Sequence, residues 1–284
     1  MNSALIDLHV HTSASDGTMT PEEAVLLAAR SGLKAIAVTD HDTVDGVAEA
    51  LATGAKAGLE VVPGIEISVD YNGEMHILGY YVNSLNDGFR EGLANLSRYR
   101  AQRNPQIINK LRKLNFHITL EDVSKVAGAG VVGRPHFARA MLQKGYVHSL
   151  DEAFDLYLGA GRAAYVKKER LTPNEGIQLI ALAGGIPVLA HPKYLKIKGG
   201  QGLAGLLPEL IGYGLKGIEV FYTSHTPAET REYAKLAALH GLLMTGGSDF
   251  HGANKPEITI GRGKGNLAVD YELLQRIKDS AGIL

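Results

Sequence analysis

The chain has 284 residues, 45% of them hydrophobic, with 29 Lys and Arg against 30 Asp and Glu, a formal net charge of −1 and no cysteine. That is ample material for a barrel-sized core with an elaboration, and the balanced charge excludes a global basic field for wrapping duplex nucleic acid. The lack of cysteine excludes disulfides, thiolate metal sites and a thiol nucleophile; no run is long enough to span a membrane, and the N-terminus lacks the flank and apolar stretch of a signal peptide, so a cytoplasmic protein is expected.

Leu5 to Val10 reads as the first strand, and Thr20-Pro21 with Glu23 supplies an N-cap, an N1 proline and a capping acid for a helix from Ala24 to Arg30 that stops at Gly32. Strands are expected at Ala35 to Thr39, Val61 to Val69 and His76 to Val82. The following stretch, Asn83 to roughly Gly185, is far longer than a single crossover. It predicts a helical insertion with helices at Phe89 to Leu114, Leu120 to Ala127, Pro135 to Lys144 and Leu150 to Leu158. The Thr-Pro-x-Glu start returns at Thr172 and Thr226, further strands are expected at Ile186 to Ala190, Gly217 to Phe221 and Leu242 to Thr245, and a short helix from Tyr271 to Ser280 follows. Alternating strands and helices predict an α/β fold with a parallel sheet, closed or nearly closed into a barrel of seven strands. The expected division is barrel over 1–83, helical insertion capping the substrate over 84–170, and barrel again over 171–284.

The side chains with metal-binding chemistry fall at or just past these strands. His9 and His11 stand two apart, so both project from one face of a strand. Asp16 follows in the first loop, His41 ends the second strand, and Glu66 sits among apolar residues, where an acid is costly without a cation or hydrogen bonds. His76 opens the fourth strand, His191 ends the fifth, and Asp249 and His251 repeat the i, i+2 spacing after the seventh. An isolated His-x-His is more often a surface pair; nine such residues at strand ends point to a polynuclear metal site.

Seven segments, Asp7-Leu8-His9-Val10-His11-Thr12, Ser15-Asp16-Gly17, Thr39-Asp40-His41-Asp42, Pro63-Gly64-Ile65-Glu66, His76-Ile77-Leu78-Gly79, Ala190-His191-Pro192 and Gly247-Ser248-Asp249-Phe250-His251, resemble the PHP family, named for polymerase and histidinol phosphatase domains. The resemblance implies a distorted (β/α)7 TIM-like barrel and a trinuclear site. His9, His11, Glu66 and Asp249 would hold the first metal, and Asp16, His41 and His251 the second. Glu66 would bridge to a third metal bound by His76 and His191. Two to three divalent ions are thus expected; mixed imidazole and carboxylate donors suit Mn, Zn or Fe better than Mg. Three such ions against three carboxylates and one hydroxide leave about two positive charges, a match for a phosphate dianion, and metal-bound water with its pKa lowered toward ~7 would supply a hydroxide nucleophile.

Within that family, Gly133-Arg134-Pro135-His136 in the insertion, together with Arg100 and Arg103, resembles the group acting on 5′-nucleotides, nucleoside 3′,5′-bisphosphates and short 5′-phosphorylated RNA. Arg134, His136, Arg100 and Arg103 would then contact substrate phosphate, while Arg98 and Arg139 read as solvated. His225, after the sixth strand, is a candidate substrate contact and proton donor, and Asp249 a candidate catalytic residue as well as a ligand. The Gly128 to Gly133 run matches G-x-G-x-x-G but follows a helix, so it reads as a connector and not a dinucleotide site; Gly261 to Gly265 reads as a surface turn. The expected activity is metal-dependent phosphomonoester hydrolysis, most of all of nucleoside 3′,5′-bisphosphate to 5′-nucleotide. The alternatives are a 5′-3′ exoribonuclease on short 5′-phosphorylated RNA, a 5′-nucleotidase, a histidinol phosphatase or a metal-stabilised binding module. No duplex DNA, membrane or obligate protein partner is expected.

Overall fold

A computed structural model describes residues 5–72, 74–128, 130–167, 170–197 and 202–283; Met1 to Ser3 of the N-terminus and Ala129 of the glycine run lie outside the described residues. In chain order the elements are β1 (Leu5–Val10), α1 (Pro21–Arg30), β2 (Ala35–Val38), α2 (Val47–Ala57), β3 (Glu60–Val69), β4 (Met75–Tyr80), α3 (Asp87–Lys113), α4 (Leu120–Ala127), α5 (Arg134–Gln143) and α6 (Leu150–Ala153), which runs into a π turn at Phe154–Leu158. Then follow α7 (Pro173–Leu182), β5 (Ile186–Leu189), α8 (Gly202–Gly212), β6 (Gly217–Tyr222), α9 (Pro227–Leu239), β7 (Leu243–Gly247), β8 (Val269–Asp270) and α10 (Tyr271–Ala281). The three Thr-Pro-x-Glu signals act as expected. At α1, α7 and α9 the threonine side chain accepts from the glutamate backbone N–H and the glutamate side chain from the threonine N–H, satisfying orphan donors of the first turn.

The strands form a curved sheet in the order β7-β6-β5-β4-β3-β2-β1-β8, a nearly closed barrel surrounded by helices. Two features correct the expectation of seven parallel strands. β4 runs antiparallel to both β3 and β5; only residues 70–74 separate it from β3, and a parallel crossover needs about a dozen residues. The two-residue β8, which has no apolar run to announce it, pairs antiparallel with the start of β1.

Apolar strand faces and helix stripes bury the barrel core, including Ile65, Ile67, Ile77 and Val220. The insertion has its own cluster, in which Ile107, Leu111, Phe137 and Met141 are fully enclosed; a buried side chain of this size contributes about 1.5–3 kcal/mol. α3 belongs to both. Its first half places Phe89, Leu93 and Leu96 in the barrel core, and its second half places Ile107, Ile108 and Leu111 in the insertion core. The glycine run docks the insertion on the loop that carries Asp16: Val131 N–H donates to the Ala14 carbonyl at 3.1 Å, and a Cβ on Gly130 would collide with the backbone oxygen of Ser13.

Candidate metal centre

Glu66 is the hub of a histidine cluster. Its Oε1 lies 2.9 Å from His76 Nδ1 and 2.9 Å from His191 Nε2. Its Oε2 lies 2.9 Å from His41 Nδ1, 3.2 Å from His11 Nε2 and 3.4 Å from His9 Nε2. Asp249 Oδ1 stands 3.3 Å from His11 Nε2 and 3.6 Å from His9 Nε2, while Asp16 is approached by His251 Nε2 at 3.3 Å, His11 Nδ1 at 3.7 Å and His41 Nε2 at 3.9 Å. All nine expected ligand positions therefore meet at one rim. The reversal of β4 makes this possible for His76: it sits at the beginning of its strand, opposite Ser68 of β3, and a parallel β4 would have carried it to the far end of the barrel.

Three sets of donor atoms lie within 4.8 Å of one another: His11, Asp16, His41 and His251; His9, His11 and Glu66; His41, Glu66 and His76. His11 and His41 thus each reach two sets, where the family resemblance gives each to one metal. Glu66 Oε2 and one ring nitrogen each of His11, His41 and His191 are enclosed without a hydrogen bond; the short His41 contact lacks hydrogen-bond alignment. A buried carboxylate oxygen with no donor is costly, and nitrogen and oxygen lone pairs aimed at shared points fit Zn, Mn or Fe. Burial alone would raise the Glu66 carboxyl, but the imidazoles of His76, His41 and His9 hold it well below its ordinary value. Burial disfavours protonated His41, yet Glu66 and Asp16 raise it to about 9. Burial and the neighbouring Lys255 lower His251 to about 4. The pocket attracts positive charge, and divalent cations fit it.

A layer behind the candidate ligands fixes them. Glu219, fully buried on β6, faces His9 Nδ1 at 2.9 Å through Oε1 and accepts from the His191 backbone N–H at 2.7 Å through Oε2. Asp7 accepts from the backbone N–H groups of His9, Ser248 and Gly261 and from the Ser248 hydroxyl. Gly261 to Gly265 is therefore no plain surface turn: its first N–H donates to the buried Asp7 carboxyl group. Asp249 Oδ2 is held by Lys255 Nζ at 2.6 Å and the Tyr222 hydroxyl at 2.9 Å. Asp249 and His191 both have positive φ, 58° and 26°, a strained backbone for side-chain-bearing residues that the surrounding bonds must hold.

Beside the cluster a cleft of about 150 Å³ is lined by Asp16, His41 and His76 together with Arg100, Arg103, Arg134 and Arg170. Arg100 bonds Asp42, Arg103 donates to Asn104 Oδ1, Arg134 donates to the Leu158 carbonyl, and Arg170 to that of Val69. Burial and the charges of Arg100, Arg134 and Arg170 hold Arg103 below the ordinary guanidinium value. An anion in the cleft would relieve that repulsion.

His136 and His225 do not line this cleft. His136 Nδ1 accepts from Gly133 N–H at 2.9 Å, so it caps the start of α5. His225 is 6% exposed, bonds the Val220 carbonyl through Nδ1, and packs against Tyr222 and Tyr233; burial lowers its pKa and its Nε2 is enclosed without a partner. With Nδ1 on the Val220 carbonyl and Nε2 enclosed, the ring lacks the access that donation to a leaving oxygen requires. Arg139 is not solvated as expected: it donates to Asn254 Oδ1 at 2.6 Å, and Asn254 donates to the Asp16 carbonyl, tying the insertion to the ligand loop. Glu219, Lys255, Tyr222 and Arg170 escaped sequence reading. Glu219 carried the same signal as Glu66, an acid inside an apolar strand.

Comparison with known proteins accords with this geometry. A family model described as PHP domain matches residues 7–202. The chain is 35% identical to the 5′-3′ exoribonuclease Rnm of Escherichia coli, over 92% of this chain and 89% of that one. It is 32% identical to the 3′,5′-nucleoside bisphosphate phosphatase of Chromobacterium violaceum, over 87% of each. Among solved structures, a Bifidobacterium adolescentis protein provisionally described as a metal-dependent phosphoesterase superposes with a TM-score of 0.86 at 31% identity, covering 96% of this chain and 95% of that one.

Proposed function

The chain belongs to the PHP domain family of metal-dependent phosphoesterases, and from that premise we propose that it hydrolyses nucleotide phosphates, with nucleoside 3′,5′-bisphosphates as the preferred class. The observation that carries the reading is the meeting, in one cleft, of Asp16, His41 and His76 from the donor cluster with four arginines. A substrate with two phosphates can engage both groups at once, which a simple monoester cannot. His9, His11, Asp16, His41, Glu66, His76, His191, Asp249 and His251 would hold two to three divalent cations. When bound, these supply Lewis acidity and an activated water. Glu219, Asp7 and Lys255 orient His9, His191 and Asp249, and Arg134 with Arg100, Arg103 and Arg170 binds the phosphate that is not cleaved. Water attacks phosphorus, the P–O3′ bond breaks, and the 3′ oxygen leaves with a proton, giving a 5′-nucleotide and phosphate.

A second reading, stepwise release of 5′-nucleotides from the 5′ end of short RNA, is favoured by the name of the Escherichia coli relative and breaks the same kind of bond. The test is kcat/KM of metal-reconstituted protein for adenosine 3′,5′-bisphosphate, AMP and histidinol phosphate. Equal values for the first two would remove the second-phosphate argument, and a clear preference for histidinol phosphate would overturn the nucleotide assignment. Arg134→Ala should retain its metals and lose about 2–4 kcal/mol of transition-state binding. Unchanged kinetics on every substrate would remove Arg134 from the site.

A further inference from the structure

The helical insertion rests on three loops of the barrel, and each carries a member of one donor set, His11, Asp16, His41 and His251. Besides the Val131 bond to the Ala14 carbonyl, α3 sets Arg100 on Asp42, next to His41. The third contact comes from α5. Arg139 donates to Asn254 Oδ1 at 2.6 Å, and Asn254 Nδ2 donates to the Asp16 carbonyl at 2.6 Å. A guanidinium only donates and a carbonyl only accepts, so this amide has one orientation that makes both bonds. Asn254 is itself held. It ends the 3-10 turn after His251, where Ala253 N–H donates to Thr18 Oγ1 at 2.8 Å and Thr18 N–H to the His251 carbonyl at 3.2 Å, and a Cβ on Gly252 would collide with the Thr18 hydroxyl.

Arg134 is the first residue of the same α5. Phe137, Ala138 and Met141 fix that helix in the insertion core. The chain enters it through Gly128, Gly130 and Gly133, residues that leave the backbone few conformational limits. A second anchor therefore has something to decide, and Arg139 supplies it about 7.5 Å further along the helix axis. We infer that Arg139 and Asn254 are positioning residues: by fastening α5 to the turn after His251 and to the Asp16 loop, they set the distance from Arg134 to the candidate metal ligands, and with it the phosphate separation that the site accepts. The inference rests on the nucleoside bisphosphate reading. Neither residue lines the cleft, whereas Arg100 does. Misplacing a bound group by about 1 Å can cost on the order of a hundredfold in rate, so a link away from the chemistry can govern selectivity.

The test compares metal-loaded wild type with Arg139→Ala, Arg139→Lys, Asn254→Ala and the double alanine variant. Substrates are adenosine 3′,5′-bisphosphate and p-nitrophenyl phosphate, whose single phosphate needs only the metal side of the cleft. Metal content and amide hydrogen exchange of α5 are measured for each protein. Arg139 is partly exposed and alanine favours a helix, so the fold should survive. Both single alanine variants should lose roughly tenfold or more in kcat/KM for the bisphosphate, keep metal content and p-nitrophenyl phosphate hydrolysis within about twofold, and exchange faster in α5. The double variant should be no worse than the worse single one, because the two residues form one link. Arg139→Lys, which retains a donor, should fall between wild type and Arg139→Ala. Equal losses on both substrates, loss of metal, or no loss on either substrate would overturn the inference. A wild type that does not prefer the bisphosphate to AMP would remove the two-phosphate reading; α5 exchange would then decide alone, and rates unchanged by Arg139→Ala would overturn the fastening.

Discussion

Glu219→Gln is the most informative single change behind the metal cluster. The carboxylate serves two buried partners with its two oxygens, His9 Nδ1 at 2.9 Å and His191 N–H at 2.7 Å. Glutamine keeps the shape and offers one acceptor. Whichever way the amide turns, its NH₂ faces the other partner. Opposite His191 it meets a backbone N–H that cannot change its role, leaving a buried donor unsatisfied at about 1–3 kcal/mol. Opposite His9 it demands that Nδ1 accept, which moves the imidazole proton to Nε2, the atom aimed at Glu66 and Asp249. A metal needs that lone pair, so much of the penalty falls on the metal-bound state. Loss of such a partner typically costs 10–100-fold in metal affinity, about 1.4–2.8 kcal/mol. The assay is competition with a chromophoric chelator for Zn or Mn, beside thermal unfolding of the metal-free protein to show that the fold survives. Wild-type affinity and stoichiometry in a folded Glu219→Gln protein would refute the reasoning.

Protein purified without chelator should carry two to three transition-metal equivalents and lose hydrolysis when stripped; less than one equivalent under every reconstitution condition counts against a polynuclear site. Gly247→Ala should destabilise the fold by at least about 1–3 kcal/mol, because the new Cβ would meet the Cβ of His9 and lie 2.5 Å from its backbone nitrogen; a melting temperature equal to wild type would contradict that packing. In the insertion, Lys144 and the Thr119 N–H hold Asp122 at about 2, below its ordinary 3.8. A depressed carboxyl contributes stability above the ordinary value and loses it as pH falls through the folded one. Wild type should therefore exceed Asp122→Asn slightly near neutrality, little because the pair is exposed, with the gap closing between about pH 4 and 2. Denaturant midpoints over that range check the sign.

The candidate ligands were legible because their chemistry is local: histidines two apart on a strand must share a face, and an acid inside an apolar strand must have a partner. The same rule applied to Glu219 would have found the layer behind the metals. The direction of β4 was also within reach, since the turn at 70–74 is too short for a crossover. The role of His225 was not. Its ring is turned into Tyr222 and Tyr233 by packing that no spacing encodes. Arg170 and Lys255 are likewise ordinary surface residues until the fold brings them beside the cleft and Asp249.

The barrel closes between β1 and β7, which no strand ladder joins among the described residues. They meet through a few backbone bonds, such as Asp249 N–H to the His9 carbonyl and His11 N–H to that of Phe250, and through the charged side chains on either side. During synthesis from the N-terminus, His9 and His11 emerge first, while Asp249 and His251 are made near the end. Until then Glu66 and the early histidines form only part of a chelating set, able to capture stray cations with the wrong coordination. In the proposed metal centre, correct loading would thus be a late event, timed by the arrival of the seventh strand.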